Sequence, residues 1–496
     1  MPHSKPSSRE ASLDITLASK PRTPLAWYRA SFPYAEALAV GALVLFVPAV
    51  LNDPDSWWHV AAGTWMLAHL SVPPVDPFSF SMAGQPWVAH EWLAEVLMAL
   101  AWRAGGWSGV VALFGAAAAL MTGCLARYLA RHLRPLAATV VLLIGVSCVG
   151  PSLLARPHLL ALALLVPWLT SLLSAQERRE PPPWSLLLLM VVWANLHASF
   201  IFGLALIVPI ALDAVVDALR SADQKSAHAW RVARGWALFL AAALVAALIT
   251  PHGIEGFRFP FQLAGMKHVV SIGEWRPLDL HKLHQIEIGL VALAYVVVTR
   301  RVRIALPRGL IVAGLAWLAF AHGRHEMLAG IVGAAVLAEP LGRAFGSTPQ
   351  DPARLSWRAA ACWIVCAVLL LTLRFANPVV RGDSPTSPVS ALAHVPASLL
   401  DEPVFNSYEF GGYLIFQHVR PFIDGRADMY GDAFMFAYLD AMRSDRAAFE
   451  RLVQQYRIRW ALLDARSGIA GMIATLPDWR RLYADGTAQV YVRTLP

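Results

Sequence analysis

The segment DPDSWWH at residues 53–59 places two carboxylates and an imidazole beside an apolar stretch. Asp53 and Asp55 flank Pro54, and His59 follows Asp55 by four residues, so a helix starting here puts Asp55 and His59 on one face. Such a carboxylate could act as a general base or as a metal ligand. The structural alternative is that Asp53 caps a helix beginning at Pro54 and Asp55 complements its dipole. Both interpretations stay open, with Asp55 as the first catalytic candidate.

A second ionisable group lies in the segment VAHEWLAEVLMALAWR at 88–103. Glu91 and Glu95 are four residues apart and would share a helix face. The sequence HEWLA is not the zinc-protease motif HExxH, because Ala94 stands where the second histidine is needed. We predict that His90 and Glu91 belong to a site, with Glu91 as a catalytic candidate; a solvated helix face is the alternative.

Further polar clusters sit near the ends of apolar runs. They are Arg156 and His158 in LLARPHLL, Asn195 and His197 in WANLHASF, Glu274, Arg276, His281 and His284 in GEWRPLDLHKLH, and His322, Arg324, His325 and Glu326 in AHGRHEM. Polar groups at membrane depth are costly, so their convergence on one side of a membrane indicates function. Because guanidinium groups bind phosphate as a fork, Arg156, Arg276 and Arg324 are predicted phosphate ligands. The histidines assigned to the same substrate site are His59, His90, His158, His197 and His325, and packing is the alternative for each.

The composition is that of a membrane protein. Of 496 residues, 57% are hydrophobic and 15% charged, and 19 are Trp, a residue that favours the membrane–water boundary. The net charge of +8 comes mainly from short loops between apolar runs, which is typical of membrane anchoring and not of a nucleic-acid-binding face.

The apolar runs predict a mainly α-helical, polytopic transmembrane bundle of about eleven spans. The runs lie at 36–51, 107–127, 135–151, 157–174, 184–197, 199–217, 235–250, 286–299, 304–321, 325–342 and 358–375, and the pair at 184–217 could be a broken element. The excess of Lys and Arg in alternate loops places the N-terminal tail, 1–33, in the cytoplasm and the loops 52–106 and 251–285 outside. Counting 88–103 as a span would put the basic segment 127–134 outside, so we predict a helix on the outer membrane surface there.

The bundle is predicted to occupy 34–378, and a small α/β periplasmic domain is predicted for 379–496. PVFNS, RPFID, IRWALLD and AQVYVRT are predicted strands, and RAAFERLVQQY is a predicted amphipathic helix. The segment PFIDGRADMYGD is interpreted as a turn held by an internal Asp–Arg pair, with acceptor contact as the alternative. NSYEFGGYL is interpreted as a strand end with a glycine turn, and no GxGxxG or Walker A pattern points to a nucleotide.

The order of these elements resembles the GT-C superfamily of membrane glycosyltransferases. This superfamily includes the transferases that add aminoarabinose or galacturonic acid to lipid A, and the protein O-mannosyltransferases. The resemblance covers residues 1–200. DPDSWWHVAAGTWML is similar to the acidic motif with its juxtamembrane helix, and QPWVAHEWLAEVLMALAWRAGG is similar to the second juxtamembrane helix.

The resemblance implies a bacterial inner-membrane enzyme that takes a sugar from a polyprenyl-phosphate carrier at the outer face, with Asp55 as base or acceptor-positioning carboxylate. Two segments depart from the superfamily's pattern: ARPHLL stands where many members carry a second acidic motif, and LHASF where some carry a Lys-Gly-Phe turn. These departures bear on metal dependence and phosphate binding. The whole chain is most similar to bacterial membrane proteins described only as resembling such transferases.

We therefore predict transfer of a sugar from a polyprenyl-phosphate donor to a lipid, glycan or protein acceptor, with membrane lipids as the surrounding partners. No cofactor has a complete ligand set, although Asp53 and Asp55 could hold Mg²⁺ or Mn²⁺. The alternatives are a transporter or flippase of polar lipids and a non-catalytic component of envelope polysaccharide assembly. A transporter needs polar residues through both leaflets and commonly has related halves, whereas here the polar groups cluster on one side and no repeat is visible.

Overall fold

The structure, a computed structural model, describes residues 24–220, 225–271, 273–350 and 355–494. Most of the predicted N-terminal tail therefore lies outside the described residues. Residues 24–33 belong to the first helix, which begins at Pro24 and ends at Phe46 instead of covering 36–51. The boundary of the cytoplasmic tail at residue 33 stays a prediction.

Helices dominate the described part of the chain up to residue 376. They are α1 (Pro24–Phe46), α2 (Asp55–His69), α3 (Trp92–His132), α4 (Pro135–Ser147), α5 (Pro157–Arg178), α6 (Leu186–Leu196), α7 (Phe200–Arg220), α8 (Lys225–Ala247), α9 (Gly253–Gly265), α10 (Gln285–Arg300), α11 (Leu306–Ala321), α12 (Glu326–Ala344) and α13 (Trp357–Ala376). Every predicted apolar run coincides with one of these helices, so the mainly α-helical fold is confirmed.

Length and hydropathy qualify six helical segments of the described chain as membrane spans. They are Trp92–His132, Pro157–Arg178, Phe200–Arg220, Ala227–Ala247, Gly323–Ala344 and Trp357–Ala376. Four shorter helical segments are also apolar: Ala30–Phe46, Pro135–Ser147, Leu186–Leu196 and Leu306–Ala321. The figure of about eleven spans stays a prediction, as does the orientation of the bundle in the membrane.

Two glycines break α3 into a short and a long part. Gly105 and Gly106 have non-helical backbone angles, and Gly106 has a φ of 56° with a ψ of −144°, a conformation that side chains with a Cβ strongly disfavour. The short part packs closely on α2, since a Cβ added to Gly63 would lie 1.9 Å from the carbonyl oxygen of Glu95. The segment 88–103 is thus separated from the following span, in agreement with the prediction of a distinct helix, although its helical part starts at Trp92.

A four-stranded mixed sheet with flanking helices follows α13. The elements are α14 (Val389–Ala393), α15 (Ala397–Leu400), β1 (Val404–Asn406), α16 (Gly411–Phe416), α17 (Ala427–Met442), α18 (Arg446–Gln455), β2 (Trp460–Asp464), α19 (Gly468–Ile473), β3 (Trp479–Ala484) and β4 (Ala488–Arg493). The strand order is β1-β2-β4-β3, with β1 parallel to β2 and the other pairs antiparallel. Helix α18 confirms the predicted amphipathic helix. The domain boundary at 378 stays a prediction.

Three details of the C-terminal prediction are wrong. RPFID is not a strand, because Phe422 and Ile423 donate their N–H groups to the side chain of Asn406 instead of a neighbouring strand. NSYEFGGYL ends a strand but then forms a 3-10 turn and α16, because its glycines allow a close approach to α2. Strand β3 was missed, since half of the side chains of WRRLYA are exposed and the segment has little apolar alternation.

A buried ion cluster ties four helices together at the opposite end of the bundle from Arg324. Arg308, in the first turn of α11, is only 5% exposed. Its Nε donates to Asp213 Oδ2 at 2.8 Å, its Nη1 to Glu339 Oε2 at 3.1 Å, and its Nη2 to Gln176 Oε1 at 2.8 Å. The cluster joins α5, α7, α11 and α12, so it fixes their packing.

We expect Arg308→Ala to lower the free energy of unfolding by about 3–5 kcal/mol, because the buried carboxylate of Asp213 loses its ion-pair partner and Glu339 keeps only the exposed Arg343. Thermal unfolding of the purified protein in detergent, followed by size-exclusion chromatography, measures this effect. Arg303→Ala is the matched control, because Arg303 is exposed. Equal stability of the two variants would contradict a structural role for the cluster.

Candidate active site

One cavity of about 610 Å³ gathers side chains from stretches that are far apart in the chain. Its lining includes residues at the starts of α2 and α5, residues that precede α3 and α12, the α6–α7 junction, the second half of α9, a loop before α10 and part of the C-terminal region. Ten of the eleven predicted site residues line it: Asp53, Asp55, His59, His90, Glu91, Arg156, His158, His197, Arg324 and His325. The convergence expected from the sequence is therefore present in the geometry.

Arg156 is the centre of charge in this cavity. Its Nη2 donates to Asp55 Oδ2 at 2.5 Å, and its Nη1 donates to Glu274 Oε2 at 2.9 Å. Its Nε lies 3.6 Å from Asp53 Oδ2. The side chain comes from the residue before α5, held in extended backbone because Pro157 opens that helix. One guanidinium thus joins three carboxylates from two distant segments.

Asp53 performs the capping role that the sequence allowed, and it also faces Arg156. Its Oδ1 accepts the backbone N–H of Asp55 at 2.7 Å, which satisfies a free donor at the start of α2. Asp53 can therefore cap α2 and also belong to the site, since one carboxylate oxygen accepts from the Asp55 backbone and the other faces Arg156.

Asp55 is buried and its two oxygens are both engaged. Oδ1 accepts from Trp58 Nε1 at 3.0 Å, and Oδ2 accepts from Arg156. Burial raises the pKa of Asp55 to about 7, although the positive charge of Arg156 acts in the opposite direction. A carboxylate with this pKa exchanges a proton near neutral pH, which is the property a general base needs.

A second group of ionisable side chains in the cavity is centred on Glu91. Glu91 Oε1 lies 3.4 Å from His197 Nε2 and 3.7 Å from His90 Nε2, and Glu91 Oε2 lies 3.9 Å from His59 Nε2. Burial raises the pKa of Glu91 to about 8, so this side chain is largely protonated at neutral pH. Burial lowers the pKa of His90 to about 4 and also lowers that of His59 and His197, so these rings are neutral. Glu91 is consequently better suited to donate a proton or hydrogen bond than to act as a base.

Arg324 has more capacity for a ligand than Arg156. Among the described residues its one carboxylate partner within 4.0 Å is Glu274, at 3.3 Å, and its guanidinium lies 4.4 Å from the centre of the Trp275 ring. Although burial opposes ionisation, the charges of Arg156 and Arg324 lower the pKa of Glu274 to about 2. Glu274 therefore stays charged and links the two guanidinium groups.

Arg276 is the exception among the predicted phosphate ligands. It is exposed and does not line the cavity, and its carbonyl oxygen accepts the backbone N–H of Gly323 at 3.0 Å. The preceding 3-10 turn directs Glu274 and Trp275 into the cavity, and the chain then turns away. The assignment of Arg276 to the substrate site is corrected for this reason.

The C-terminal segment 425–428 closes one side of the cavity, which agrees with the alternative interpretation of PFIDGRADMYGD as a contact surface. A Cβ added to Gly425 would lie 1.8 Å from Asp55 Oδ1, so the backbone of this segment rests directly on the catalytic candidate. Tyr408 and Asp428 also line the cavity, and burial raises the pKa of Asp428 to about 6.

The Asp–Arg pair predicted within PFIDGRADMYGD is confirmed, since Arg426 Nη2 donates to Asp424 Oδ2 at 2.7 Å. The concentration of charged residues in IDGRADMYGD was the available signal.

Arg381 contacts the first turn of α2, next to Asp53 and Asp55. Its Nη1 donates to Ser56 Oγ at 2.7 Å, and its guanidinium lies 3.8 Å from the centre of the Trp57 ring and 4.6 Å from that of Trp107. Burial lowers the pKa of Arg381 to about 9, and the charge of Asp53 opposes that shift. Arg381 therefore stabilises the first turn of α2. No sequence motif around Arg381 predicted this role.

A divalent ion at Asp53 and Asp55, which the sequence left possible, does not fit the described residues. Among them, no group of three or more His, Cys, Asp and Glu side chains is arranged to hold a metal ion. The guanidinium of Arg156 faces one oxygen of Asp53 and one of Asp55, which is where a shared cation would bind. No chemical step is therefore assigned to a metal.

The chain is similar in fold to two solved proteins, the oligosaccharyltransferase AglB and ArnT, which supports the fold that the sequence resemblance predicted. The oligosaccharyltransferase AglB of Archaeoglobus fulgidus, in complex with an inhibitory peptide and a dolichol-phosphate, superimposes with a TM-score of 0.53 at 12% identity, over 88% of this chain and 70% of that chain. ArnT of Cupriavidus metallidurans bound to undecaprenyl phosphate gives a TM-score of 0.51 at 13% identity, over 93% of this chain and 98% of that chain. At these identities the similarity concerns the fold.

Sequence comparisons add nothing to this assignment. No protein-family description matches the chain, and no curated protein matches it either.

We expect Gly425→Ala to disrupt the contact between segment 425–428 and Asp55, because the added methyl group would overlap the carboxylate. The predicted loss is about 1–3 kcal/mol of unfolding free energy, typical of overpacking. Thermal unfolding in detergent tests it, with Gly486→Ala as control, since a Cβ there meets open space. An unchanged melting temperature for Gly425→Ala would show that this contact is looser than the structure indicates.

Proposed function

We propose that this protein is a membrane glycosyltransferase that moves a sugar from a polyprenyl-phosphate donor to a hydroxyl acceptor at the outer face of the membrane. The observation that carries the proposal is the position of Asp55 in a buried cavity together with two guanidinium groups. The fold similarity supports it, because the two solved proteins include complexes with dolichol-phosphate and undecaprenyl phosphate.

In the proposed reaction, the acceptor oxygen bonds to the anomeric carbon of the sugar while the bond from that carbon to the phosphate oxygen breaks. The acceptor proton passes to Asp55, and the electron pair of the broken bond stays on the departing polyprenyl phosphate. The pKa of about 7 lets Asp55 accept this proton in its ionised state. Positioning the two substrates and stabilising the phosphate supply the remaining catalysis.

Donor binding would change the partners of Arg156. In the described structure Asp55 Oδ2 is held at 2.5 Å by Arg156 Nη2, so that oxygen is not free to take a proton. A phosphate placed in the cavity would compete for this fork and release Asp55, which would also remove a charge that lowers its pKa. We therefore assign to Arg156 a switching role that couples donor binding to base activation.

Arg324 is the main phosphate ligand in the proposal. Its guanidinium has fewer carboxylate partners than that of Arg156, and Trp275 fixes its plane. The neutral histidines and the protonated Glu91 can donate hydrogen bonds to phosphate or sugar oxygens without adding charge. Asp428 and Tyr408, on the opposite wall, are placed to contact sugar or acceptor hydroxyl groups.

Asp55→Asn is expected to lower kcat by at least about 100-fold, because general-base catalysis is lost. Transfer from a radiolabelled polyprenyl-phosphate sugar into a lipid extract provides the assay, and Asp440→Asn, at an exposed site, is the control. Wild-type activity in Asp55→Asn would remove Asp55 from the mechanism.

The pH dependence gives an independent test of the same residue. Since the base must be deprotonated, kcat/KM should fall as the pH drops through about 7, the pKa of Asp55. The residual activity of Asp55→Asn should lack this acidic limb. An acidic limb that persists in the variant would assign the titration to another group.

Arg324 and Arg276 form a matched pair for the phosphate assignment. Arg324→Gln should raise the KM for the donor roughly 10- to 100-fold, the usual cost of losing a charged hydrogen bond. Arg276→Gln should leave that KM unchanged, because Arg276 is outside the cavity. Donor titrations of both variants measure the contrast, and the reverse pattern would contradict the proposed site.

A further inference from the structure

A second concave surface, which we name the apolar groove, lies on the outside of the bundle between α4, α10 and α12. It has a volume of about 570 Å³ and is separate from the candidate active site. Aliphatic and small side chains form its walls, including Val140 of α4, Leu293 of α10 and Gly333 of α12. Nothing in the proposed transfer reaction uses this surface.

The apolar groove is long and follows the direction of α12. Its lining runs from Ala329 at the start of that helix to Phe345 just after its end, which corresponds to about 24 Å of helix. This length approaches the ~30 Å hydrocarbon core of a bilayer. The shape therefore fits one extended hydrocarbon chain better than a compact ligand.

Two cations stand at one end of the apolar groove. Arg134 precedes α4, and Arg300 ends α10, with its guanidinium 5.6 Å from the centre of the Phe345 ring. Both side chains are exposed, and in the described ranges neither has a carboxylate within ion-pair distance. Arg308 and Arg343, by contrast, each pair with Glu339. The guanidinium groups of Arg134 and Arg300 therefore give this end of the apolar groove a positive charge that could bind an anion.

These cations lie at the opposite end of the bundle from the candidate active site. Arg324 and His325, which line the active-site cavity, come immediately before α12, whereas Phe345 follows its last residue. A headgroup bound at Arg134 and Arg300 is consequently about one helix length from Asp55. A donor whose phosphate must reach the active site cannot occupy this position productively.

We propose that the apolar groove binds an anionic phospholipid of the leaflet at this end, with an acyl chain along α12 and the phosphate on Arg134 and Arg300. Charge complementarity supports this occupant, since basic pockets between membrane helices select anionic headgroups. Burial of the acyl chain gives affinity without specificity, while the two guanidinium groups discriminate against lipids with no net charge. The lipid fills the space between α4, α10 and α12 and so supports the packing of these helices.

Gly333 gives direct access to the apolar groove for a test. A Cβ added there meets no atom within 4 Å, so a larger side chain would project into the groove without displacing the helix. Gly314 of α11 also meets open space but does not line the groove. The pair Gly333→Leu and Gly314→Leu therefore differs in groove filling while sharing the same chemical change.

Native mass spectrometry of the full-length protein in detergent, with added phosphatidylglycerol or phosphatidylcholine, tests the proposal. The wild type should retain phosphatidylglycerol in preference to phosphatidylcholine. Each of Arg134→Gln and Arg300→Gln should weaken phosphatidylglycerol binding about 5-fold, and the double variant about 25-fold. Gly333→Leu should lose the bound lipid, and Gly314→Leu should keep it.

Three results would overturn the proposal: equal retention of the two lipids by the wild type, retention by Gly333→Leu, or preference for undecaprenyl phosphate over phosphatidylglycerol. Loss of the adduct in Arg324→Gln but not in the double variant would place the lipid in the active-site cavity and also overturn it. None of these readouts depends on transfer activity, so the result is separable from the proposed function.

Discussion

The ion cluster around Arg156 is the constraint on which the candidate active site depends. The guanidinium of Arg156 is only partly accessible to water, so the surrounding anions stabilise it, and removing one of them leaves a charge with less compensation. Asp53, Asp55 and Glu274 supply those anions from the first turn of α2 and from the loop before α10. Three stretches of chain separated by more than one hundred residues are therefore fixed relative to one another.

The same cluster sets the chemistry available at Asp55. Burial favours the neutral carboxyl group and Arg156 favours the ionised one, and the balance places its pKa near 7. A change in the contacts of Arg156 changes that balance, so any anion entering the cavity acts on Asp55 through a shared partner. Burial in the same cavity also holds Glu91 in its protonated form, and the nearby charges of Asp428 and Asp55 raise its pKa further.

The C-terminal region is part of the site and not an appended module. Arg426 Nη1 donates to Asp76 Oδ1 at 2.6 Å, which ties this region to the loop after α2 with both side chains buried. Gly425 then lies against Asp55, and Gly412 lies so close to Pro54 that a Cβ would approach its carbonyl oxygen to 2.4 Å. These contacts require glycine at both positions, and they explain why the cavity has an enclosed wall beside the catalytic candidate.

Local physical rules were sufficient for much of the fold. Apolar runs must be helical where backbone groups lack water, so the sequence alone predicted a helix at each of the eleven apolar runs, although it did not predict α9. The cost of polar groups near lipid identified ten residues that line the cavity. The break at Gly105 and Gly106 was also predictable, because the charge rule required 88–103 to end before the next span.

Pairings between distant segments were decided only by the tertiary structure. Arg276 and Glu274 are equally polar in sequence, yet the turn between them directs only Glu274 into the cavity. The burial of Arg308, and the place of Gly425 beside Asp55, likewise depend on partners far along the chain. The sequence determined which side chains had to avoid lipid, because the free-energy cost of placing a polar group in lipid depends on that group alone. The tertiary structure decided which of these side chains contact one another, because contact depends on three-dimensional packing.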